Sequence, residues 1–359
     1  MSEALNTGPT TASQSDLDLS WMQQRGEWGT RAKMSKHGLT LADIAVGSYG
    51  EVATESKNMT GRPRGAAERS NGFRIGGYQL RSKQDIWLEN AGWIWEEAHN
   101  RQWSSATDVP WHTLKPLPDD LEQAMCYLCT FFTEVEFVAG DVPSRWIART
   151  SPEYFEPRMV LLAQVNDEAR HMDVFRKRAL ANGGGLMQCT GGTSGIVGGI
   201  DLANDFNEMS ARLHLSGEGA VLTMFRMGEL IAQNPAEKEM YRLCAQDEAR
   251  HVAFGVMHMR YVAEAAPERR DEIHGYLDEA ELALLATAQN PTAAGPTAEA
   301  LCIMLGGGRA GYAEGEKKLL AIRRRQVIEY MKRLRTAGFG ERFENGRANP
   351  ELVKMLRAA

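Results

Sequence analysis

The sequence predicts an all-α protein organised round a four-helix bundle, and three observations carry that expectation. Long segments with apolar residues every three or four positions are cut by prolines and glycines, while the period-two alternation of strands is almost absent. One pentapeptide, Asp-Glu-Ala-Arg-His, occurs twice, at Asp167 to His171 and at Asp247 to His251, each inside such a segment. A further helical run precedes each copy and carries a glutamate at a matching distance from the intervening turn.

The 359 residues are enough to bury a sizeable core without staples. Residues 1 to about 20 are polar and aperiodic, and residues 54–77 are rich in Gly, Arg, Ser and Asn, so both are expected as loops or a loosely ordered arm. The expected division is an N-terminal, partly irregular arm over 1–83, a bundle with a Trp-rich leading helix over 84–265, and C-terminal helices packing on the bundle over 266–359.

The leading helix is expected from Gln84 to Trp103, and Pro110, Pro116 and Pro118 punctuate the connection after it. Asp119 reads as the cap of an apolar run reaching about Arg149. Two prolines in the turn RTSPEYFEP end that run, and helical periodicity resumes from about Arg158 to Ala181, which makes an antiparallel pair. The glycine-dense stretch ANGGGLMQCTGGTSGIVGG lacks the spacing of a phosphate-binding loop and reads as a flexible crossover or lid. A second pair spans roughly Asp201 to Ile231 and Ala236 to Glu264, broken at Asn234-Pro235. Further helices are expected from about Glu268 to Thr287, Ala298 to Leu305 and Ala313 to Thr336. The last carries Lys317, Lys318, Arg323, Arg324, Arg325, Lys332, Arg333 and Arg335, read as a solvated face.

A formal charge of -6 argues against nucleic acid or an anionic membrane surface as the main partner. The first ten residues lack a secretory signal, and no apolar run of about 18 residues suggests membrane insertion, so a cytoplasmic protein is expected. Five cysteines fit reduced thiols, and Cys126 and Cys129 read as buried helix residues rather than half of a zinc site.

The repeat carries the chemistry. Glu and His three apart project from one helix face, one turn apart, and together can grip an ion. Glu136 lies 13 residues before Arg149 and Glu168 lies 11 after Pro157, so both sit roughly 16 to 20 Å from the turn between them. Glu218 and Glu248 repeat the arrangement, 15 residues before Gln233 and 13 after Pro235. The candidate metal ligands are therefore Glu136, Glu168, His171, Glu218, Glu248 and His251, with the four glutamates as the candidate catalytic groups. Glu134 competes with Glu136 but points about 200 degrees away, and the small residues beside Glu136 favour it. Hard carboxylate oxygens with two imidazoles and no thiolate favour iron or manganese over structural zinc. Asp167 and Asp247 are expected to accept from imidazole N–H groups, with Arg170 and Arg250 neutralising them. His214, four residues before Glu218, reads as a hydrogen-bonded core histidine, with an extra ligand or proton relay as the alternative.

On Glu136-Phe137 and the two pentapeptides, residues 119–265 resemble the ferritin-like di-iron carboxylate superfamily. The motifs are most similar to those of bacterial multicomponent monooxygenase hydroxylases. They also resemble arylamine N-oxygenases, acyl-carrier-protein desaturases and the small subunit of ribonucleotide reductase. The resemblance implies a ferritin-like bundle holding two iron ions, with a manganese–iron pair as the variant. It further implies dioxygen activation and hydroxylation of a small organic substrate, with desaturation or N-oxygenation as alternatives and radical generation or iron storage less favoured. A homodimer is implied, and a separate reductase or ferredoxin as electron donor, because the chain shows neither a flavin fingerprint nor a cysteine set for an iron–sulfur cluster.

Three positions depart from the relatives. Phe175 stands where reductase subunits commonly place a radical-bearing tyrosine, Cys244 where N-oxygenases place an extra histidine, and Leu222 where hydroxylases place a threonine, with Thr223 one further on. Trp87, Trp93, Trp95, Trp103 and Trp111 crowd one stretch and are candidates to line a substrate cavity, with ordinary core packing as the plainer reading for each.

Overall fold

A computed structural model describes residues 17–23, 27–68, 74, 77–189, 199–289 and 295–357. After an N-terminal segment with little regular structure come α1 (Ala91–Asn100), α2 (Asp119–Ile147) and α3 (Phe155–Ala181). Next are α4 (Phe206–Ser210), a π-helical turn (Ala211–Gly217) that runs directly into α5 (Glu218–Ile231), and α6 (Pro235–Ala265). The chain closes with α7 (Arg270–Gln289), α8 (Pro296–Gly306), α9 (Tyr312–Thr336) and α10 (Pro350–Arg357). Among the described residues strand pairing is limited to isolated bridges, one of which sets Leu80 beside Thr150.

The expected all-α bundle is what forms. Helix α2 packs along α3, α5 along α6, and α3 meets α6 directly, which closes four long helices round a common interior. Apolar residues fill it above and below the middle. Phe132, Phe175, Phe225 and Tyr241 interlock at one level, and Ile86, Trp146, Leu161, Phe206 and Phe254 do so at the other. Helix α8 lies on α2, α9 on α5, and α7 against the π turn, so the C-terminal helices cover the bundle.

Local chemistry explains the ends of these elements. Asn234 caps α6 by accepting from Glu237 N, Glu237 returns a bond to Gln233 N, and Pro235 occupies the first turn, where its missing N–H is harmless. The α8–α9 hairpin is closed by Gly307 in the left-handed conformation. It also needs glycine at 315, where a Cβ would stand 1.9 Å from Cys302 O.

Four expectations are corrected. Asp119 is the first helical residue of α2 rather than its cap; Pro118 holds the cap position without a side-chain bond. The leading helix is shorter than Gln84 to Trp103, because the backbone before Ala91 turns on Ser82 and Asp85 side chains. The Asp201 to Ile231 run starts at Phe206 and carries a π-helical turn, an extra residue that apolar periodicity does not register. The basic stripe of the last long helix is not wholly solvated, since Arg323 is buried, donating to Gln326 Oε1 and lying near Cys302 of α8. Of the glycine-dense crossover, residues 190–198 lie outside the described residues, as do 1–16 of the N-terminal arm and part of the 54–77 stretch. Cys126 and Cys129 are buried free thiols on α2. Among the described residues no helix is long and apolar enough to cross a membrane.

Candidate metal centre

All six candidate ligands meet at mid-depth of the bundle. Helix α2 supplies Glu136, α3 Glu168 and His171, α5 Glu218, and α6 Glu248 and His251. They form two groups, Glu136–Glu168–His171–Glu248 and Glu168–Glu218–Glu248–His251, and within each the donor atoms lie within 4.8 Å of one another. All six are buried. Glu134, the competitor for Glu136, is exposed on the outer side of α2, as its rotation round the helix requires.

The arrangement has a pseudo-twofold pattern that follows from the repeat. His171 Nδ1 lies 3.0 Å from Glu168 Oε2 and 3.1 Å from Glu248 Oε1, while His251 Nδ1 lies 3.1 Å from Glu168 Oε1 and 3.1 Å from Glu248 Oε2. Glu168 and Glu248 thus present one oxygen to each imidazole, the placement of a bridge between two positions. Glu136 and Glu218 stand at the ends, 3.8 Å from His171 Nδ1 and 4.0 Å from His251 Nδ1. Four carboxylate oxygens lack a donor in hydrogen-bonding geometry: both of Glu136 and Oε1 of Glu168 and of Glu248, although an imidazole Nδ1 stands 3.1 Å from each of the latter two. A buried carboxylate oxygen without a donor is costly, and bound cations are the group that would relieve it.

Electrostatics point the same way. Burial together with the Glu168 charge pushes the Glu136 carboxyl well above its usual range, and burial with the Glu248 and Glu168 charges does the same to Glu218. Burial would also raise Glu168, but the His251 and His171 imidazoles outweigh it and hold that carboxyl low. Burial opposes protonation of the two imidazoles, yet Cys244 with Asp247, Glu136 and Glu168 raises His171, and Glu168, Glu248 and Asp167 raise His251. Without cations the centre holds protons where positive charge is needed.

Behind the imidazoles the repeats cross over. His171 Nε2 faces Asp247 Oδ2, and His251 Nε2 faces Asp167 Oδ2, each at 3.3 Å. Arg170 bonds Asp167 and also Asp247, the latter at 3.0 Å, and Arg250 bonds Asp247 and also Asp167, the latter at 2.9 Å. Asp247 alone takes a further bond, from Trp103 Nε1 at 2.7 Å. Burial would raise Asp247, but His171, Arg250 and Arg170 hold it low.

Two contributors escaped the sequence reading. Gln164 Nε2 donates to Glu218 Oε1 at 3.0 Å and its Oε1 meets His214 Nε2 at 3.2 Å; its only sequence signal is its place four residues before Glu168 on the same face. Trp103, a cavity-lining candidate or more plainly a core residue by sequence, is buried in the core, and in addition its indole N–H holds Asp247 and its ring lies beside His171. Trp93 is exposed. His214 is a buried, hydrogen-bonded histidine whose Nδ1 meets Ser210 Oγ and which belongs to neither donor group; burial lowers its pKa to about 3. Phe175 and Cys244 are fully buried, and Thr223 donates to Gly219 O within α5. Phe225 packs edge-on against His171, backed by Phe132, Phe175 and Tyr241, which makes a dry wall on that side.

No protein-family model and no curated protein matches the sequence. Solved structures do match. One is an R2-like ligand-binding oxidase, a tyrosine-to-phenylalanine variant with aerobically reconstituted Mn/Fe cofactor, at 17% identity and TM-score 0.55 over 68% of this chain and 91% of that one. Another structure of an R2-like ligand-binding oxidase with aerobically reconstituted Mn/Fe cofactor matches at 15% identity and TM-score 0.55, over 70% and 93% of the two chains. At such identity the likeness is one of fold, and the fold this chain shares with those oxidases is a ferritin-like helical bundle.

Proposed function

We propose that this protein is a dioxygen-activating di-metal oxidase or oxygenase that binds two iron ions, or one manganese and one iron, through Glu136, Glu168, His171, Glu218, Glu248 and His251. The observation that carries the reading is the pair of overlapping donor groups in which four buried glutamates and two imidazoles converge, with four carboxylate oxygens that no donor meets in hydrogen-bonding geometry. That donor set is oxygen-rich with nitrogen and no sulfur, which suits iron and manganese. The structural relatives are named as oxidases with a Mn/Fe cofactor, which supports the same choice.

When bound, the metal pair would supply reversible electron transfer to dioxygen. The chain's own part is binding and insulation. Glu168 and Glu248 belong to both donor groups and would serve both ions, while Glu136 and Glu218 would each serve one. With the metals bound, the Nε2–H groups of His171 and His251 would donate to Asp247 and Asp167, so that each Nδ1 could give its lone pair to the centre in place of a proton. The Phe225 wall excludes water from one side, which protects a strong oxidant from quenching.

Hydroxylation of a small organic substrate is the reaction we favour, with electrons from a separate reductase or ferredoxin and a homodimer as the assembly. Metal analysis of the purified protein, followed by reaction of the reduced form with labelled dioxygen, tests this. Two metal ions per chain and label in the product are expected. Absence of iron and manganese would sink the reading, unlabelled unsaturated product would redirect it to desaturation, and uptake of many ferrous ions per chain would redirect it to storage.

A further inference from the structure

Glu218 differs from the other three glutamates in what stands behind it. It is the first residue of α5, directly after the π-helical turn Ala211–Gly217, and its own N–H reaches back five residues to Leu213 O. Single π turns are uncommon and are found mostly at functional positions, where neighbouring groups must hold them. Glu136 needs no such support, since it lies well inside the regular helix α2.

The support comes from α9. Arg333 Nε donates to Leu215 O at 2.9 Å, and Nη1 lies 3.5 Å from Gly219 O, so one guanidinium spans the two carbonyls on either side of Glu218. The contact is so close that a side chain at 219 would displace the guanidinium: a Cβ on Gly219 would overlap Arg333 Cζ. Among the described residues Arg333 has no carboxylate ion-pair partner, and Glu329, one turn earlier, pairs with Arg325 and Lys332 instead. Gln326, also on α9, donates to Ala220 O at 3.0 Å and accepts from Arg323, which extends the same grip by one residue.

We propose that Arg333 is a positioning residue of the metal centre. By holding the Leu215 and Gly219 carbonyls it fixes the rotation of the turn that carries Glu218, and so shapes the cation position bounded by Glu168, Glu218, Glu248 and His251. The other position, which Glu136 completes, does not depend on it. This rests on the di-metal reading above, and it makes the C-terminal helix α9 a part of the site's construction.

The test uses the full chain stripped of metal and titrated with manganous ion, with free ion counted by electron paramagnetic resonance. Two ions should bind the wild type. Arg333→Met should bind one as the wild type does and the other about tenfold or more weakly. Arg333→Lys, whose point charge reaches one carbonyl but not both, should fall between. Gly219→Ala, which displaces the guanidinium without altering Arg333, should reproduce the Arg333→Met pattern. Amide hydrogen exchange of the metal-free protein gives a readout without metal: Arg333→Met should speed exchange over residues 215–220 and leave residues around Glu136 unchanged. The proposal is overturned if the variant binds both ions normally, weakens both alike, or exchanges normally over 215–220. A wild type that binds no pair of ions would instead count against the di-metal reading, and the exchange result would still decide whether Arg333 holds the turn.

Discussion

Asp247 of the second repeat holds His171 of the first, with Oδ2 3.3 Å from Nε2, and Asp167 of the first repeat holds His251 of the second at the same distance. Within a repeat Asp and His are four apart, a spacing that allows a local pair, yet each reaches across instead. The exchange ties α3 to α6 at the level of the centre, and Arg170 and Arg250 close it into a ring of buried ion pairs. Each imidazole is therefore oriented by the other repeat.

Asp247→Asn tests that dependence. The amide keeps an oxygen near His171 but loses the charge that favours Nε2–H, and it leaves Arg170 and Arg250 with one fewer anion. Metal affinity should fall about 10- to 100-fold, most at the position that His171 serves. Competition with a chelator of known affinity measures it, and an unchanged affinity would show that the crossing is merely structural.

Trp103→Phe removes a single donor while keeping most of the ring. Asp247 Oδ2 loses its 2.7 Å bond from the indole N–H but retains both arginines, so a loss of about 1.5 to 3 kcal/mol in unfolding free energy is expected. Urea denaturation of the metal-free protein reads this directly. A loss under about 0.5 kcal/mol would mean that the arginines alone satisfy the carboxylate.

What was legible in the sequence is what local spacing determines. The repeat names four of the six centre residues because Glu and His three apart must share a helix face, and counting from a turn finds Glu136 and Glu218 because helix rise is constant. Rotation round the helix shows that only one of Glu134 and Glu136 can face the centre, and the small residues beside Glu136 select it. Trp103, Gln164 and Arg333 were not legible in their roles, since each acts through a contact between elements distant in the chain that no periodicity encodes. The π turn escaped for a different reason: one extra residue inside an apolar run shifts the helix face without breaking the pattern. Buried Arg323 was misread because basic residues on a helix are ordinarily solvated.

The two carboxyls on the first helix pair should respond unequally to replacement by an amide. Glu136 is held protonated in the metal-free protein, so Glu136→Gln replaces one neutral group by another of the same shape. Thermal stability of the metal-free form should change by under about 1 kcal/mol, while ion binding at that end is lost. Glu168 is held ionised between two imidazoles, so Glu168→Gln leaves buried positive charge uncompensated and should cost about 3 kcal/mol or more without metal. Equal effects in paired melting curves would contradict this division of protons.

Away from the centre, His258 should make folding sensitive to acid. Its Nε2 lies 2.7 Å from Asn207 Oδ1, and its Nδ1 lies 3.1 Å from Trp87 O and 3.3 Å from Trp87 N, so the buried ring can stay neutral by donating to the amide oxygen from Nε2 and accepting the Trp87 N–H at Nδ1. Burial lowers its pKa to about 4, against about 6.5 in an unfolded chain. Below pH 6.5 the unfolded chain takes up a proton that the folded one refuses until about pH 4, so stability contributed by the neutral ring is present above that window and lost as pH falls through it. The full loss amounts to about 3 kcal/mol. His258→Gln lacks the titrating group, so its deficit relative to the wild type should shrink by about 2 to 3 kcal/mol between pH 7 and pH 4.5. Urea unfolding of both metal-free proteins across that range checks it, and because the centre titrates alike in both, the difference isolates His258; a deficit independent of pH would refute the assignment.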